Sequence, residues 1–286
     1  MTTQKLARLA LRSKIFHTLT GLTPCQFITL LAEMRPLWEQ AEYTRKNRPD
    51  RKKAIGQGPK SKLDLAGGLF MTLLFYRTYA GQVFIGMVVG LDDSNVSRRI
   101  RTLEPILQRV FRIPEKRIDL TEDEIWELIV DATEQHTQRR KGTKVSGKKR
   151  QQTIKTQIHV SRRGVMKAVS KSVTGNVHDK KLYDDSRTFC RGPDGSVVKV
   201  NKKGDSGYLG TECCVPAKKP KSRSLMMHEK YYNRQHAKKR IGVEYEIAHL
   251  QQFQILGQRF RHNPGRHNLI FRNVAGLRNL VRTSPA

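Results

Sequence analysis

The chain has 286 residues, with 55 Lys and Arg against 25 Asp and Glu, which gives a formal net charge of +30 at pH 7. Such an excess opposes compaction by self-repulsion unless a polyanion is the usual partner. Because the basic residues are spread along the whole chain, nucleic acid is the leading candidate partner, although a ribosomal or membrane-surface protein would share this charge.

Cysteine usage and hydropathy exclude several other classes of protein. The four cysteines show no CxxC spacing, which argues against a zinc site or a disulfide framework and for a reducing compartment. No apolar run reaches membrane-spanning length, and the opening residues MTTQKLARLALRSK lack the apolar core of a secretory leader. We therefore expect a cytoplasmic protein with no membrane partner.

The first eighty residues predict two helices separated by a basic segment. Thr23 and Pro24 suit the start of the first helix. Its apolar stripe comprises Phe27, Leu30, Leu31 and Met34. Residues 63–79 are apolar almost all round, which predicts a buried helix. Between them, residues 44–62 carry eight basic residues and one acid, and we expect either a strap on DNA phosphate or a solvated loop.

Residues 82–110 predict two helices joined by a tight glycine turn. The first is expected to cover residues 82–89 and stop at Gly90, and the cluster Asp92–Ser94 can cap the second. The second has an apolar stripe at Val96, Ile100, Leu103 and Leu107. Its polar leading edge comprises Asn95, Ser97, Arg98, Arg99 and Thr102. This pattern is typical of a helix-turn-helix that reads DNA, and the alternative is an ordinary helical hairpin.

After residue 113 the periodicity changes to that of strands. EIWELIVDATEQ predicts a strand, and QTIKTQIHVS with GVMKAVSKSVTG predicts a hairpin joined at Arg163-Gly164. SVVKVNKKGD and ECCVPAKK are two further strand candidates, whereas residues 178–189 and 224–255 are expected to be helical. The order predicts an α + α/β chain, in which an all-α N-terminal domain precedes an α/β domain.

A basic run stands on and before the alternating strand of the predicted hairpin. It consists of Lys148, Lys149, Arg150 and Lys155. We expect these side chains to lie along DNA phosphates, and the alternative is a solvated strand edge.

Acids at the ends of two predicted strands carry the chemistry. Asp131 and Asp205 each end a strand candidate, and two acids brought together repel unless a cation lies between them. Mg²⁺ prefers such hard oxygen ligands and supports phosphoryl transfer. The alternative for Asp205 is an ordinary surface turn. Glu244 and Glu246 offer a third carboxylate, but they point about 200° apart on a helix, and Arg240, one turn earlier, favours Glu244.

The order of six motifs resembles that of the bacterial insertion-sequence transposases of the fifth family, DDE enzymes related to eukaryotic Harbinger elements. The motifs are VDATEQ, SGKKRQQTIKTQIHV, GNVHDKKLYDD, KGDSGYLG, YYNRQHAKKRIGVEYEIAHLQQFQIL and AGLRNLV. The resemblance runs from about Leu22 to Arg282. It implies an N-terminal helix-turn-helix domain (residues 1–112, with the motif at about 82–110). It also implies a ribonuclease H-like DDE catalytic domain (residues 113–286), a mixed sheet with flanking helices.

The resemblance also implies the roles of individual residues. Asp131, Asp205 and Glu244 would form the catalytic metal-binding triad, holding two Mg²⁺ ions, with Mn²⁺ as a substitute. Arg240 matches the family's basic residue, and His178-Asp179 matches a further motif. Where the family usually has a lysine one or two turns after the glutamate, this chain has Gln251 and Gln252. That departure would weaken DNA-end binding or mark a decayed copy.

The function implied is that of a bacterial, nucleoid-associated DNA transposase. It would bind terminal inverted repeats, cleave phosphodiester bonds at the element ends and transfer the 3′-OH strand to target DNA, as a homo-oligomer. One alternative is a catalytically inactive or domesticated copy that only binds DNA; the presence of all three acids favours the enzyme. An RNA-binding or ribosomal-type protein is a third hypothesis, but the strands lack aromatic clusters.

Overall fold

The computed structural model describes residues 3–47, 49, 61–139 and 141–284. These residues form two compact units. The first unit holds the described residues up to Arg112 together with Phe253–Ile255 and Ser284, and the second holds the rest. Among the described residues, no single helix has both the length and the apolar character of a membrane span. Helices α2 (Ser13–Thr20) and α3 (Pro24–Lys46) reach that length and composition only when taken together as one bent pair.

The first unit is helical throughout its described part. Besides α2 and α3 it contains α1 (Thr3–Ala10), α4 (Leu65–Thr78), α5 (Gln82–Val89) and α6 (Asp93–Phe111). Thr23 begins α3 with a capping box, in which the Gln26 amide donates to Thr23 Oγ1 (3.3 Å) and the Thr23 amide donates to Gln26 Oε1 (2.9 Å). The predicted start of this helix is confirmed.

Helix α4 forms the centre of the first unit, and eleven of its residues are buried. The prediction of a buried helix is confirmed. Helix α3 runs on to Lys46, so the first three residues of the predicted basic strap are helical. Residues 48 and 50–60 of that strap lie outside the described part of the chain.

The second unit combines two sheets with flanking helices. Its strands are β1 (Arg117–Asp119), β2 (Glu127–His136), β3 (Thr153–Ser161), β4 (Met166–Val169), β5 (Val173–Thr174), β6 (Phe189–Arg191), β7 (Val197–Val198) and β8 (Asn201–Lys203). The helices that follow the first unit along the chain are α7 (Asp179–Asp185), α8 (Met227–Gln251), α9 (Gln254–Gly257) and α10 (His267–Thr283).

The larger sheet has the strand order β4-β3-β2-β8, and β5 also pairs with β3. Strands β2, β3 and β4 are antiparallel neighbours, whereas β8 lies parallel to β2. The smaller sheet has the order β1-β6-β7. Buried side chains of both sheets, including Ile118, Leu128 and Cys190, share one apolar cluster. The β3–β4 hairpin turns at Gly164, which has a φ of 81°, so the predicted hairpin is confirmed.

Three strand predictions need correction. Strand β2 does not end on Asp131 but continues to His136, because its antiparallel partner β3 pairs with it to the end. SVVKVNKKGD is two short strands in different sheets, since β7 pairs with β6 and β8 pairs with β2. ECCVPAKK makes only an isolated bridge from Cys214 to Lys203, because Pro216 has no N–H to continue a ladder.

Candidate active site

The parallel pair β2 and β8 brings two aspartates to matching positions. The last residues paired between these strands are Ile129 and Lys203. Asp131 and Asp205 each follow two residues later. Because adjacent strands lie about 4.8 Å apart, both carboxyl groups leave the sheet at the same place. The two acids therefore meet through the pairing register, with Asp131 inside β2 and Asp205 just after the end of β8.

The turn after β8 is built around Asp205. Its Oδ1 accepts a hydrogen bond from the Gly207 amide (2.9 Å), so the side chain caps the short 3₁₀ turn Ser206–Tyr208. A Cβ at Gly207 would lie 2.9 Å from Asp179 Oδ2 and 3.0 Å from Asp205 Oδ1. Glycine is therefore required at this position, where two carboxylates crowd the turn. The buried ring of Tyr208 packs in an apolar cluster with Val130 and Tyr183.

Helix α8 supplies a cation and a third acid. Arg240 Nη2 lies 3.1 Å from Asp131 Oδ2, and Arg240 Nη1 lies 3.9 Å from Glu244 Oε1. Only 14–15% of the Arg240 and Asp131 side chains is exposed, whereas 61% of the Glu244 side chain is exposed. Arg240 thus links an almost buried aspartate to an open glutamate one helical turn away.

The charges of these groups act on one another. Burial raises the pKa of Asp131 to about 6, the nearby Arg240 opposes this rise in pKa, and the charges of Asp205 and Glu244 add to it. Three acids therefore share one electrostatic environment, and a single guanidinium does not offset the cost of burying Asp131 as an anion.

The donor set fits a hard divalent cation, because carboxylate oxygens are the ligands that Mg²⁺ and Mn²⁺ prefer. Within the described ranges, no three His, Cys, Asp or Glu side chains already converge as a closed metal cage. In the observed arrangement Arg240 engages Asp131, and Glu244 is turned to solvent. Ligation by all three acids would require Arg240 to shift and Glu244 to change rotamer.

Glu246 lies in a different environment from Glu244. Its carboxylate is almost completely buried and accepts two hydrogen bonds from Arg278 of α10, at 2.6 Å from Nε and 3.0 Å from Nη2. Arg282 lies 3.8 Å from the same carboxylate. Glu246 therefore fastens α8 to α10 and takes no part in the acid cluster.

Comparison with known proteins identifies the family. The family model described as DDE superfamily endonuclease matches residues 130–279, which contain both aspartates and α8. The chain belongs to the DDE superfamily of endonucleases. It is also 30% identical over 241 residues to the "Probable transposase for insertion sequence element IS702" of Microchaete diplosiphon, a match that covers 80% of this chain and 85% of that protein. No solved structure matches the chain.

In this DDE endonuclease, a buried lysine binds Asp179, which lies beside Asp205. Lys155 on β3 is only 6% exposed. Its Nζ lies 2.8 Å from Asp179 Oδ1 and 3.2 Å from Glu134 Oε1, and it donates to the Val177 carbonyl (2.7 Å). The prediction that Lys155 contacts DNA phosphate does not fit this burial. It depended on the alternating pattern of the strand, which suggested one solvent-exposed face, whereas every residue of β3 is buried.

Two residues beside the aspartates were not predicted as site residues. Asp179, the first residue of α7, crowds Gly207 together with Asp205. The Tyr208 hydroxyl is buried and has no hydrogen-bond partner in the described part of the chain. Burial first, and then the charges of Asp131, Asp179 and Asp205, raise the pKa of Tyr208 well above its usual value. The family motifs GNVHDKKLYDD and KGDSGYLG contain Asp179 and Tyr208, but gave neither a role.

The residues predicted to read DNA bases lie on α6 in the first unit. Asn95, Arg98 and Thr102 line a groove of about 630 Å³, and Arg98 is exposed. Ser97 is half-buried. Arg99 instead donates to the carbonyls of Leu63 (3.3 Å) and Asp64 (2.9 Å) and lies over the Trp38 ring, so it ties α6 to the start of α4.

The basic residues before β3 are open to solvent. Lys148, Lys149 and Arg150 are all exposed in a loop. Their side chains make no ion pair among the residues that the structure describes, and Arg150 adopts a φ of 51°. This loop remains available for an external anion.

Proposed function

We propose that this DDE endonuclease is a DNA transposase of the insertion-sequence class, within the fifth family. It binds the terminal inverted repeats of its element, hydrolyses phosphodiester bonds at the element ends and joins the freed 3′-OH to target DNA. The observation that carries this proposal is the register of β2 and β8, which brings Asp131 and Asp205 together. The similarity to a probable insertion-sequence transposase supports it.

The topology supports a ribonuclease H-like catalytic unit. A long strand stands between an antiparallel hairpin and a parallel strand, in the order β4-β3-β2-β8. The acids emerge from the two parallel strands, and the following long helix, α8, lies next to β2 through Arg240 and Asp131. This arrangement supports a site in which acids from three separate segments hold one metal position.

Asp131, Asp205 and Glu244 are the residues that would hold Mg²⁺ or Mn²⁺, with two ions in the active form. The metal would stabilise the charge on the attacking and leaving oxygens of an in-line displacement at phosphorus. Arg240 binds Asp131, and its planar guanidinium can bind phosphate as well as carboxylate. We infer that DNA phosphate draws Arg240 away from Asp131, which frees that acid for the metal.

Recognition is assigned to the helix-turn-helix candidate formed by α5 and α6. Helix α5 ends at Gly90, whose φ of 77° lets the chain turn sharply before α6 begins after Asp92. The exposed Arg98 would reach base edges in the major groove, and Asn95 and Ser97 lie on the same leading edge. Lys148, Lys149 and Arg150 would contact phosphates without sequence preference. Two DNA ends must be held together for transposition, so we expect a homo-oligomer on DNA.

A copy that only binds DNA is the second candidate function. Gln251 and Gln252, both exposed at the end of α8, stand where the family usually has a lysine. Arg240 also holds one carboxylate oxygen of Asp131 in an ion pair. Neither feature removes an acid, so the active enzyme remains the better-supported function.

A cleavage assay separates the two candidates. The purified chain is incubated with duplex DNA carrying the element's terminal inverted repeats, with Mg²⁺ or with EDTA, and the products are mapped on denaturing gels. The active enzyme gives metal-dependent nicks at the repeat ends, followed by strand-transfer products. Binding to the repeats without cleavage in Mg²⁺ or Mn²⁺ would instead support the DNA-binding copy.

A further inference from the structure

A second groove runs along α8, on the flank away from Glu244. It has a volume of about 400 Å³, within the roughly 300–1,000 Å³ range of small-ligand sites. From α8 it is lined by Lys238, Lys239, Ile241, Gly242 and Tyr245. With 100° per residue, Gly242 points about 200° away from Arg240. The groove and the acid cluster therefore lie on opposite flanks of one helix.

The groove presents unneutralised positive charge. Its two acids already have partners, since Glu127 binds Lys203 (2.8 Å) and Lys239 (3.2 Å), and Glu246 binds Arg278. Lys238 and Arg162 also line the groove and are exposed. Neither of them makes an ion pair with any residue that the structure describes, so both cations can bind an external anion.

Apolar and aromatic surface stands beside these cations. Ile241 and Tyr245 are each 59% exposed. The Tyr245 ring packs edge-on against His249, with 4.4 Å between ring centroids, which holds its orientation. A fixed, exposed tyrosine next to unpaired cations is the combination that binds single-stranded nucleic acid, because bases stack on the ring while cations contact phosphate.

Gly242 gives an independent indication of a ligand. It lies inside the 25-residue helix α8, where glycine is a poor helix former. The protein does not require it, because a Cβ there would meet only Ile129 Cδ1, at an ordinary 4.0 Å. A helix-breaking residue with open space beside it suits a position where a ligand approaches the backbone.

We propose that this groove binds an unpaired nucleotide of the DNA substrate, with its base on Tyr245, its sugar over Gly242 and its phosphate at Lys238 and Arg162. The inference rests on the proposed function, because it takes DNA as the substrate. Around the helix, Tyr245 lies about 100° and Gly242 about 200° from Glu244, so the groove comes within about 10 Å of that acid. The bound nucleotide therefore lies a few steps along the strand from the phosphate to be cut, and the groove orients a DNA end that has lost its pairing partner.

The test compares two duplexes of the same random sequence, one blunt and one with a short single-stranded overhang. Fluorescence anisotropy with the full chain in EDTA measures binding without any cleavage. The wild type should bind the overhang duplex about tenfold more tightly, the effect of one stacked base. Gly242→Leu, which fills the groove with a better helix former, should abolish this preference with an unchanged or higher thermal midpoint. Tyr245→Ala should abolish it as well.

Tyr231→Ala is the matched control, because Tyr231 is an exposed tyrosine of α8 (65%) outside the groove. This variant should keep the preference for the overhang. Equal binding of both duplexes by the wild type, or a preserved preference in Gly242→Leu or Tyr245→Ala, would overturn the proposal. The preference is read without metal, so a failure of cleavage would count against the transposase function alone.

Discussion

Glu244 and Glu246 stand two residues apart on α8 in opposite surroundings. Glu244 is open to solvent one turn from Arg240, whereas Glu246 is buried against Arg278. An open acid can change rotamer to meet a metal at little cost. Glu246 is held by two hydrogen bonds from Arg278, and moving its carboxylate towards a metal would leave the buried Arg278 guanidinium without a partner.

The two glutamates should therefore respond differently to the same substitution. Glu244→Gln should abolish cleavage while leaving DNA binding and thermal stability unchanged. Glu246→Gln should lower the free energy of unfolding by about 3–5 kcal/mol, because it leaves Arg278 buried without a charged partner. Thermal unfolding and cleavage at a temperature where both variants are folded measure the two effects. If Glu246→Gln were stable but unable to cleave, the assignment would be reversed.

The neighbouring arginines of α6 give a second prediction. Arg98→Ala should weaken binding to terminal-repeat DNA by about 1–3 kcal/mol and leave binding to random DNA nearly unchanged. Arg99→Ala should instead lower the thermal midpoint, because Arg99 binds the backbone before α4. Binding isotherms on both DNAs, with thermal unfolding of each variant, distinguish the roles. If Arg98→Ala lost the same affinity for both DNAs, Arg98 would contact only phosphate and not bases.

Local signals in the sequence predicted most of the helices well. Thr23 capping, the Gly90 stop and the all-round apolar character of α4 depend on neighbours within a few turns, so the sequence shows them directly. Helix α10 was not predicted, although part of it was recognised as a family motif.

Strands were predicted less well because their limits depend on distant partners. Nothing local to Asp131 shows that β3 pairs beyond it, and nothing in SVVKVNKKGD shows that its halves join different sheets. The same reason explains Lys155. Its burial depends on Glu134 and Asp179, which lie 21 and 24 residues away in the sequence. The sequence likewise suggested that Asp131 and Asp205 lie close together, but it did not show the strand register that brings them together.

The loop before β3 gives a prediction about salt dependence. Replacing Lys148 and Lys149 together by Gln should reduce the slope of log K against log salt by about two, one for each lost phosphate contact. Lys155→Gln is the matched control on the adjoining strand. It should leave the slope unchanged and lower the thermal midpoint, because it breaks two buried ion pairs. DNA binding measured over a series of salt concentrations tests this prediction. An unchanged slope for the double variant would show that the loop does not contact DNA.

Two buried histidines, His159 and His267, predict that the folded protein loses stability in acid. Burial lowers the pKa of His267 to about 4 and the pKa of His159 to about 3. Both pKa values lie below the ordinary 6.5, so unfolded chains take up these protons first as the pH falls. The stabilisation is complete above about pH 6.5 and is lost as the pH falls towards 4, by about 1.4 kcal/mol per pH unit for each group.

Asp131 acts in the opposite direction within part of this window. Its pKa is raised to about 6, so the folded state gains stability from protonation of Asp131 as the pH falls from 6 towards 3.8. Burial also lowers the pKa values of His236 and His249, which act in the same direction as His159 and His267, so the net result is a loss of stability. Denaturant unfolding at several pH values from 7 to 4 measures it, and His267→Gln should flatten the curve. A stability that rises steadily down to pH 4 would contradict this account.

In the proposed mechanism, Asp131, Asp205 and Glu244 hold a catalytic metal. A change of metal preference tests this role, because a thiolate is a poor ligand for Mg²⁺ and a better one for softer ions such as Mn²⁺. Cleavage of terminal-repeat DNA is measured for the wild type and for Asp205→Cys in each metal. We predict that the wild type cleaves in both metals and that Asp205→Cys cleaves in Mn²⁺ only. Full cleavage by Asp205→Cys in Mg²⁺, or cleavage by the wild type in EDTA, would contradict the account.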